Sequence, residues 1–237
     1  MRDDTRSAVL DRSYTRSVGS SLILHPSSLV AMIGYPPIPM QVISKEALNE
    51  LPIRRYEGKV RLITTVPDLE QARADIRQEQ VVGLDTETRP SFRKGEMYLP
   101  CLVQAATARA VYLFQLSRVD VIPVINELLA ESRIVKAGVG LAHDLRQLKE
   151  VFPFTVNNAV DLGVIARRRG LGQSGVRNLA GMLLGFRIPK GNRTSNWAAP
   201  QLSPAQVAYA ATDAWACREL YLEFQKRGLL QGPATGD

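Results

Sequence analysis

VVGLDTET (residues 81–88) decides how the rest of this chain is read. Residues 81–84 carry no charge and run straight into Asp85, with Glu87 two positions on. The apolar run reads as a buried strand. On a strand, residues i and i+2 point to the same side, so the two carboxylates face one place and repel each other. A buried carboxylate is costly unless a cation meets it. Arginine can supply that cation, but clustered carboxylates more often hold a divalent metal that prefers oxygen ligands. Alone, D-x-E is more often a solvated pair than a metal site, so the reading needs further acids.

Outward from this stretch the chain alternates. KVRLITT (59–65) reads as a strand, VPDLEQARADIRQ (66–78) as a helix with Leu69, Ala72 and Ile76 on its apolar face, and CLVQAAT (101–107) and AVYLFQL (110–116) as two strands joined by a short turn. VDVIPVINELLA (119–130) reads as a helix, RIVKAGV (133–139) as a strand and GLAHDLRQLKEVF (140–152) as a helix. The order β-α-β-β-β-α-β-α predicts an α/β domain with a mixed sheet. VDLGVIARRRG (160–170), VRNLAGMLLG (176–185) and the long stretch 202–228 read as helices. In the last of these Ser203 suits the N-cap, Pro204 the first turn and Gln206 the capping box, with Gly228 as the stop.

Two further acids fall at defined places. Asp144, in AHDL (142–145), lies near the first turn of its helix, where the macrodipole alone would favour it. Tyr209 and Asp213, in YAATD (209–213), are one helical turn apart and share a face. Their alanine neighbours allow close approach to other backbone.

VVGLDTET, AHDL and YAATD, in this order, resemble the DEDD superfamily of 3′–5′ exonucleases, and more narrowly its tyrosine-containing branch, which includes ribonuclease D and the Werner-type exonuclease domain. CLVQAA, GVRNLAGMLLG (175–185) and PKGNRTSNW (189–197) also look like that family. The resemblance covers roughly residues 58–228. It implies a ribonuclease-H-like fold, a central mixed sheet flanked by helices. It implies four metal-binding acids, Asp85, Glu87, Asp144 and Asp213, with Tyr209 completing the catalytic set. The sister branch has histidine one position before that tyrosine; here the residue is Ala208. The implied cofactor is a pair of Mg²⁺ or Mn²⁺ ions, which activate a water and stabilise the leaving 3′-oxygen. Asp85 would bridge the ions, Glu87 and Asp213 would hold the nucleophile-side ion, Asp144 the other, and Tyr209 would orient the water or help deprotonate it. The products would be 5′-mononucleotides.

The expected partner is single-stranded or 3′-ended nucleic acid. A net charge of +7 over 237 residues is in keeping with a polyanionic ligand. Lys190 reads as a phosphate contact, with Arg193 in the same basic loop. Trp197 reads first as a plug of the core and second as a base-stacking ring. Arg89, Arg93 and Lys94 follow the first motif and could guide the strand. Asp161 lies outside the four-acid set and reads as a structural support. Gln104 could hydrogen-bond backbone in the core, and His143 reads as a packing residue or as one that supports the neighbouring acid. The triple arginine at 167–169 reads as a solvated helix end or a binding patch.

Residues 1–40 read as a flexible N-terminal extension, 41–57 as a lead-in segment, 58–230 as the exonuclease domain and 231–237 as a tail. Two distant cysteines, no zinc spacing and no apolar run of membrane-spanning length suggest a cytoplasmic protein with no membrane association. No obligate protein partner is inferred. The chain ends soon after its last helix, where ribonuclease D continues into further helical domains; that tilts the expected substrate towards DNA over RNA. The alternative is a catalytically silent nucleic-acid-binding module, which loss of an acid would favour; all four are present.

Overall fold

A computed structural model describes residues 42–231 apart from 94, 192 and 193. The readings of residues 1–40, of the tail beyond Gln231, and of Lys94 and Arg193 lie outside the described residues. In chain order the elements are α1 (Lys45–Glu50), β1 (Lys59–Leu62), α2 (Val66–Ile76), β2 (Val81–Thr88), β3 (Pro100–Ala106), β4 (Ala110–Gln115), α3 (Ile122–Ala130), β5 (Val135–Gly138), α4 (Leu141–Lys149), β6 (Ala159–Asp161), α5 (Leu162–Arg168), α6 (Val176–Leu179) and α7 (Pro204–Lys226). A π-helical turn, Ala180–Leu184, extends α6 and ends at Gly185, whose φ of 70° stops it.

The strands form one mixed sheet in the order β1-β4-β3-β2-β5-β6. β2, β3 and β4 make an antiparallel meander, while β1 joins β4, and β5 and β6 extend from β2, in parallel. VVGLDTET is thus a central strand. Helices cover both faces, as a buried sheet requires. On one face Val82, Leu84, Val103 and Tyr112 pack with Leu69, Ile125 and Leu145 of α2, α3 and α4. On the other, Leu102, Ala106 and Leu113 pack against Ala210, Ala211 and Ala214 of α7.

α7 has the predicted start. The Ser203 side chain accepts from Gln206 N at 3.3 Å, and Ser203 N donates to the Gln206 carbonyl oxygen Oε1 at 2.9 Å. Gly228, at φ 67°, follows its end.

Two features depart from the sequence reading. Residues 159–161 form a short sixth strand before α5 begins, where a continuous helix was expected. Three residues are too few to show a period. The lead-in segment is also part of the fold. Ile53 pairs with Arg187 in a parallel bridge, Arg54 N donates to Arg187 O at 3.0 Å, and Tyr56 N donates to Thr212 Oγ1 at 3.1 Å. No helix among the described residues is long and apolar enough to cross a membrane.

Candidate active site

The pleat of β2 sets the site. Gly83, Asp85 and Glu87 share the face that looks at α7. At Gly83 the helix comes down onto the strand: a Cβ there would lie 2.1 Å from Ala214 O and 2.7 Å from Arg218 N. Only glycine permits that approach. Asp213 precedes Ala214 in the sequence, so the close packing carries its carboxylate to the strand. One ligand oxygen from each of Asp85, Glu87 and Asp213 lies within 4.8 Å of the others, a group able to hold a metal ion. Tyr209, one turn earlier on α7, sits beside Asp213, and its hydroxyl favours the charged form of that carboxylate.

Asp144 arrives on α4 by a different route. The helix starts at Gly140, whose φ of 81° few other residues adopt and which offers no side-chain cap. Asp161, at the end of β6, supplies the missing acceptor. Its Oδ1 accepts from Gly140 N at 3.2 Å and its Oδ2 from Ala142 N at 3.1 Å. The same Oδ1 caps α5 by accepting from Val164 N at 3.2 Å. One carboxylate therefore ties the starts of two helices together and fixes the turn that carries Asp144. The Thr86 hydroxyl lies close enough to favour the charged form of Asp144. Asp144 stands outside the three-acid group, but its charge is felt at Asp85.

Burial and mutual repulsion dominate the electrostatics. Burial pushes the Asp85 carboxyl well above the usual carboxylate range, and Asp213, Glu87 and Asp144 push it further. Burial raises Asp213 to about 6 against the pull of the Tyr209 hydroxyl and the Arg177 guanidinium. Asp144 also rises to about 6, through burial and the nearby Asp161 charge. The Tyr209 phenol is raised by burial first, then by Asp213, Glu87 and Asp85.

The residues fit a divalent ion. Asp213 Oδ1 is buried with no hydrogen-bond partner among the described residues. An orphaned carboxylate oxygen beside two further carboxylates is costly in isolation, and a hard cation with oxygen ligands relieves it.

Of the other expected residues, Lys190 is exposed and lines a cavity with Tyr209. Trp197 is fully buried, its ring 5.9 Å from that of Tyr209. It is a core plug that backs the tyrosine, and the base-stacking role is set aside because no ring face is open to a base. Arg89 lies over the Tyr98 ring at 4.8 Å, and Arg93 is exposed with a long 3.9 Å contact to Glu96. Neither belongs to the acid group. Gln104 pairs across the sheet with Asp85, and both its amide atoms are buried with no hydrogen-bond partner among the described residues, contrary to the expected backbone bond. His143 is exposed and does not pack in the core. Within the triple arginine, Arg169 donates to Leu229 O at 3.0 Å, and so ties α5 to the end of α7. Sequence reasoning missed Thr86 and Arg177. Thr86 sits between the two acids of D-T-E and could have been suspected; Arg177 has no local signal.

A mixed sheet flanked by helices, with acids from β2 and α7 gathered at one place and the charge of Asp144 on α4 felt at Asp85, defines a ribonuclease-H-like hydrolase. A model of the 3′–5′ exonuclease family matches residues 60–228, and the chain belongs to that family. It is 35% identical over 165 residues to a ribonuclease D of Gluconacetobacter diazotrophicus, covering 68% of this chain and 41% of that protein. It is 27% identical over 216 residues to a 3′-5′ exonuclease of Arabidopsis thaliana, covering 83% of this chain and 73% of the relative. The match thus spans less than half of the ribonuclease D. Among solved structures, the Nibbler EXO domain of Aedes aegypti shares the fold with a TM-score of 0.64 at 22% identity, over 76% of this chain and 94% of that one.

Proposed function

We propose that this chain removes 5′-mononucleotides from the 3′ end of a single-stranded nucleic acid by two-metal hydrolysis. The observation that carries the reading is the meeting of Asp85, Glu87 and Asp213, with ligand oxygens inside 4.8 Å, next to a tyrosine hydroxyl. Asp85, Glu87 and Asp213, with Asp144, would hold Mg²⁺ or Mn²⁺. Divalent ions bound there polarise the scissile phosphate and lower the pKa of an attacking water.

The chain's own groups do the rest. Burial and the neighbouring acids raise the Tyr209 phenol, and its hydroxyl would orient the water by hydrogen bonding. Asp213 stands beside that hydroxyl. Arg177 offsets part of the negative charge at Asp213. Lys190, exposed beside Tyr209, contacts phosphate of the incoming strand.

The acids do not read the sugar, because contacts to a 2′-OH lie outside the catalytic set. The ribonuclease D relative favours RNA; the expectation from the sequence alone favours DNA. Digestion of matched DNA and RNA strands with Mn²⁺, followed by chromatography of the products, tests both points. The expected product is the 5′-mononucleotide from at least one of the two strands. Nucleosides, 3′-mononucleotides or short oligonucleotides as the first product would refute the reaction.

A further inference from the structure

The lead-in segment places a cation that no part of the catalytic set explains. Arg187 fastens this segment at three points: Arg187 N donates to Pro52 O at 2.9 Å, its Nε donates to Leu51 O at 3.1 Å, and its carbonyl accepts from Arg54 N at 3.0 Å. Tyr56 N then donates to Thr212 Oγ1 on α7. Arg55 lies between these anchors in the chain. It lines a cavity of about 140 Å³ together with Lys190, Gly191, Ala205, Ala208 and Tyr209.

Four properties define what this cavity takes. Both of its cations, Arg55 and Lys190, are exposed, and neither has an ion pair or side-chain hydrogen bond among the described residues. No acidic side chain among the described residues lines it. Ala205 belongs to the first turn of α7, the positive end of a 23-residue helix. Its volume is well below the roughly 300 Å³ at which sites for whole small molecules begin. A single anionic group fits; a whole nucleotide does not. Tyr209 is the wall shared with the acid cluster, and Gly191 presses on that ring so closely that a Cβ would lie 2.9 Å from its Cδ2.

We propose that Arg55 and Lys190 form a two-cation clamp for one backbone phosphate of the substrate strand, held across the Tyr209 ring from the metal-binding acids. The proposal rests on the exonuclease reading and adds Arg55, outside the residues matched by the family, as a substrate-binding group. Arginine supplies a planar fork of donors suited to a phosphate, and lysine a point charge.

The test is steady-state digestion of a 5′-labelled single strand by the full chain with Mn²⁺, comparing wild type, Arg55→Ala and Arg55→Lys across a salt series. Arg55→Ala is expected to raise KM about tenfold with kcat unchanged, and to flatten the plot of log kcat/KM against log salt by about 0.7. Arg55→Lys is expected to recover the salt slope and part of the KM. Arg55 makes no side-chain bond among the described residues, so the variants are expected to keep wild-type thermal stability. An unchanged KM and salt slope in Arg55→Ala would overturn the clamp. So would a weaker inhibition by free 5′-mononucleotide with strand KM unaltered, since that outcome assigns the cavity to product. If wild type shows no turnover, the exonuclease reading fails, and binding of the same strand by fluorescence anisotropy still decides the role of Arg55: equal affinity of wild type and Arg55→Ala rejects it.

Discussion

Gly83 of β2 lies directly under Ala214 of α7, with the space for a Cβ taken by the Ala214 carbonyl oxygen 2.1 Å away. This contact brings the fourth acid of the sequence to the first two. Gly83→Ala is therefore expected to cost about 3 kcal/mol of stability, the upper end for an overpacked core site. Because the helix must lift, activity falls as well, and added Mn²⁺ does not restore it. Chemical denaturation and a turnover assay check this; wild-type values in both would show that the strand and helix have more room than the structure gives them.

The raised acids make a prediction about pH. Asp144 and Asp213 titrate near 6 in the folded chain, against about 4 for a free aspartate. Between about pH 4 and pH 6 the folded chain holds protons that the unfolded chain has lost. Stability of the metal-free protein therefore falls as pH rises through that window and levels off above it. Divalent ions bind the deprotonated acids, so Mn²⁺ should raise Tm strongly at pH 7.5 and little at about pH 5. Removing one repelling carboxylate by Asp85→Asn should raise the metal-free Tm at neutral pH by about 2–4 °C. Calorimetry with and without EDTA measures each of these shifts. A Mn²⁺ effect of equal size at both pH values would contradict the acid cluster as the binding site.

Asp161 holds the turn that carries Asp144 and touches no substrate. Asp161→Ala removes acceptors from the starts of α4 and α5, at about 2 kcal/mol, and should lower kcat by about 10–100-fold through a displaced Asp144. Asp161→Asn keeps the oxygen that serves Gly140 and Val164 and loses the one that serves Ala142, so it should fall between wild type and alanine. Titration with Mn²⁺ separates positioning from simple unfolding: the variants should need more metal for half-maximal rate. An unchanged metal requirement would make Asp161 a purely structural cap.

Tyr209→Phe keeps the ring that packs against Trp197 and Gly191 and removes the hydroxyl. The expected result is a loss of about 10²-fold in kcat, with Tm changed by less than about 2 °C. Since burial and the neighbouring acids raise the phenol, the variant's rate should show the same pH dependence as wild type above pH 7. Loss of a titration in the alkaline limb would instead make Tyr209 a base.

Much of this was legible in the chain because it is local. Residues 81–88 show a buried strand ending in two acids on one face, and the signals around Ser203 and Gly228 bound α7 correctly. What brings the acids together is not local. Gly83 gives no sign in sequence that Ala214 will lie above it, and the three residues of β6 are too short for any period. Arg177 acts on Asp213 and Arg55 faces Lys190 only through folding. Trp197 allowed two readings, and burial against Tyr209 chose the one that sequence ranked first. Gln104 was expected to be satisfied by backbone; its position opposite Asp85 leaves both amide atoms without a protein partner among the described residues.

The most direct test of the central claim is digestion of a 5′-labelled single strand by wild type and by Asp85→Asn, each with Mn²⁺ and with EDTA. The account predicts a ladder that shortens one nucleotide at a time from the 3′ end, seen only for wild type with metal. A ladder of the same intensity from Asp85→Asn, or from wild type in EDTA, would contradict it.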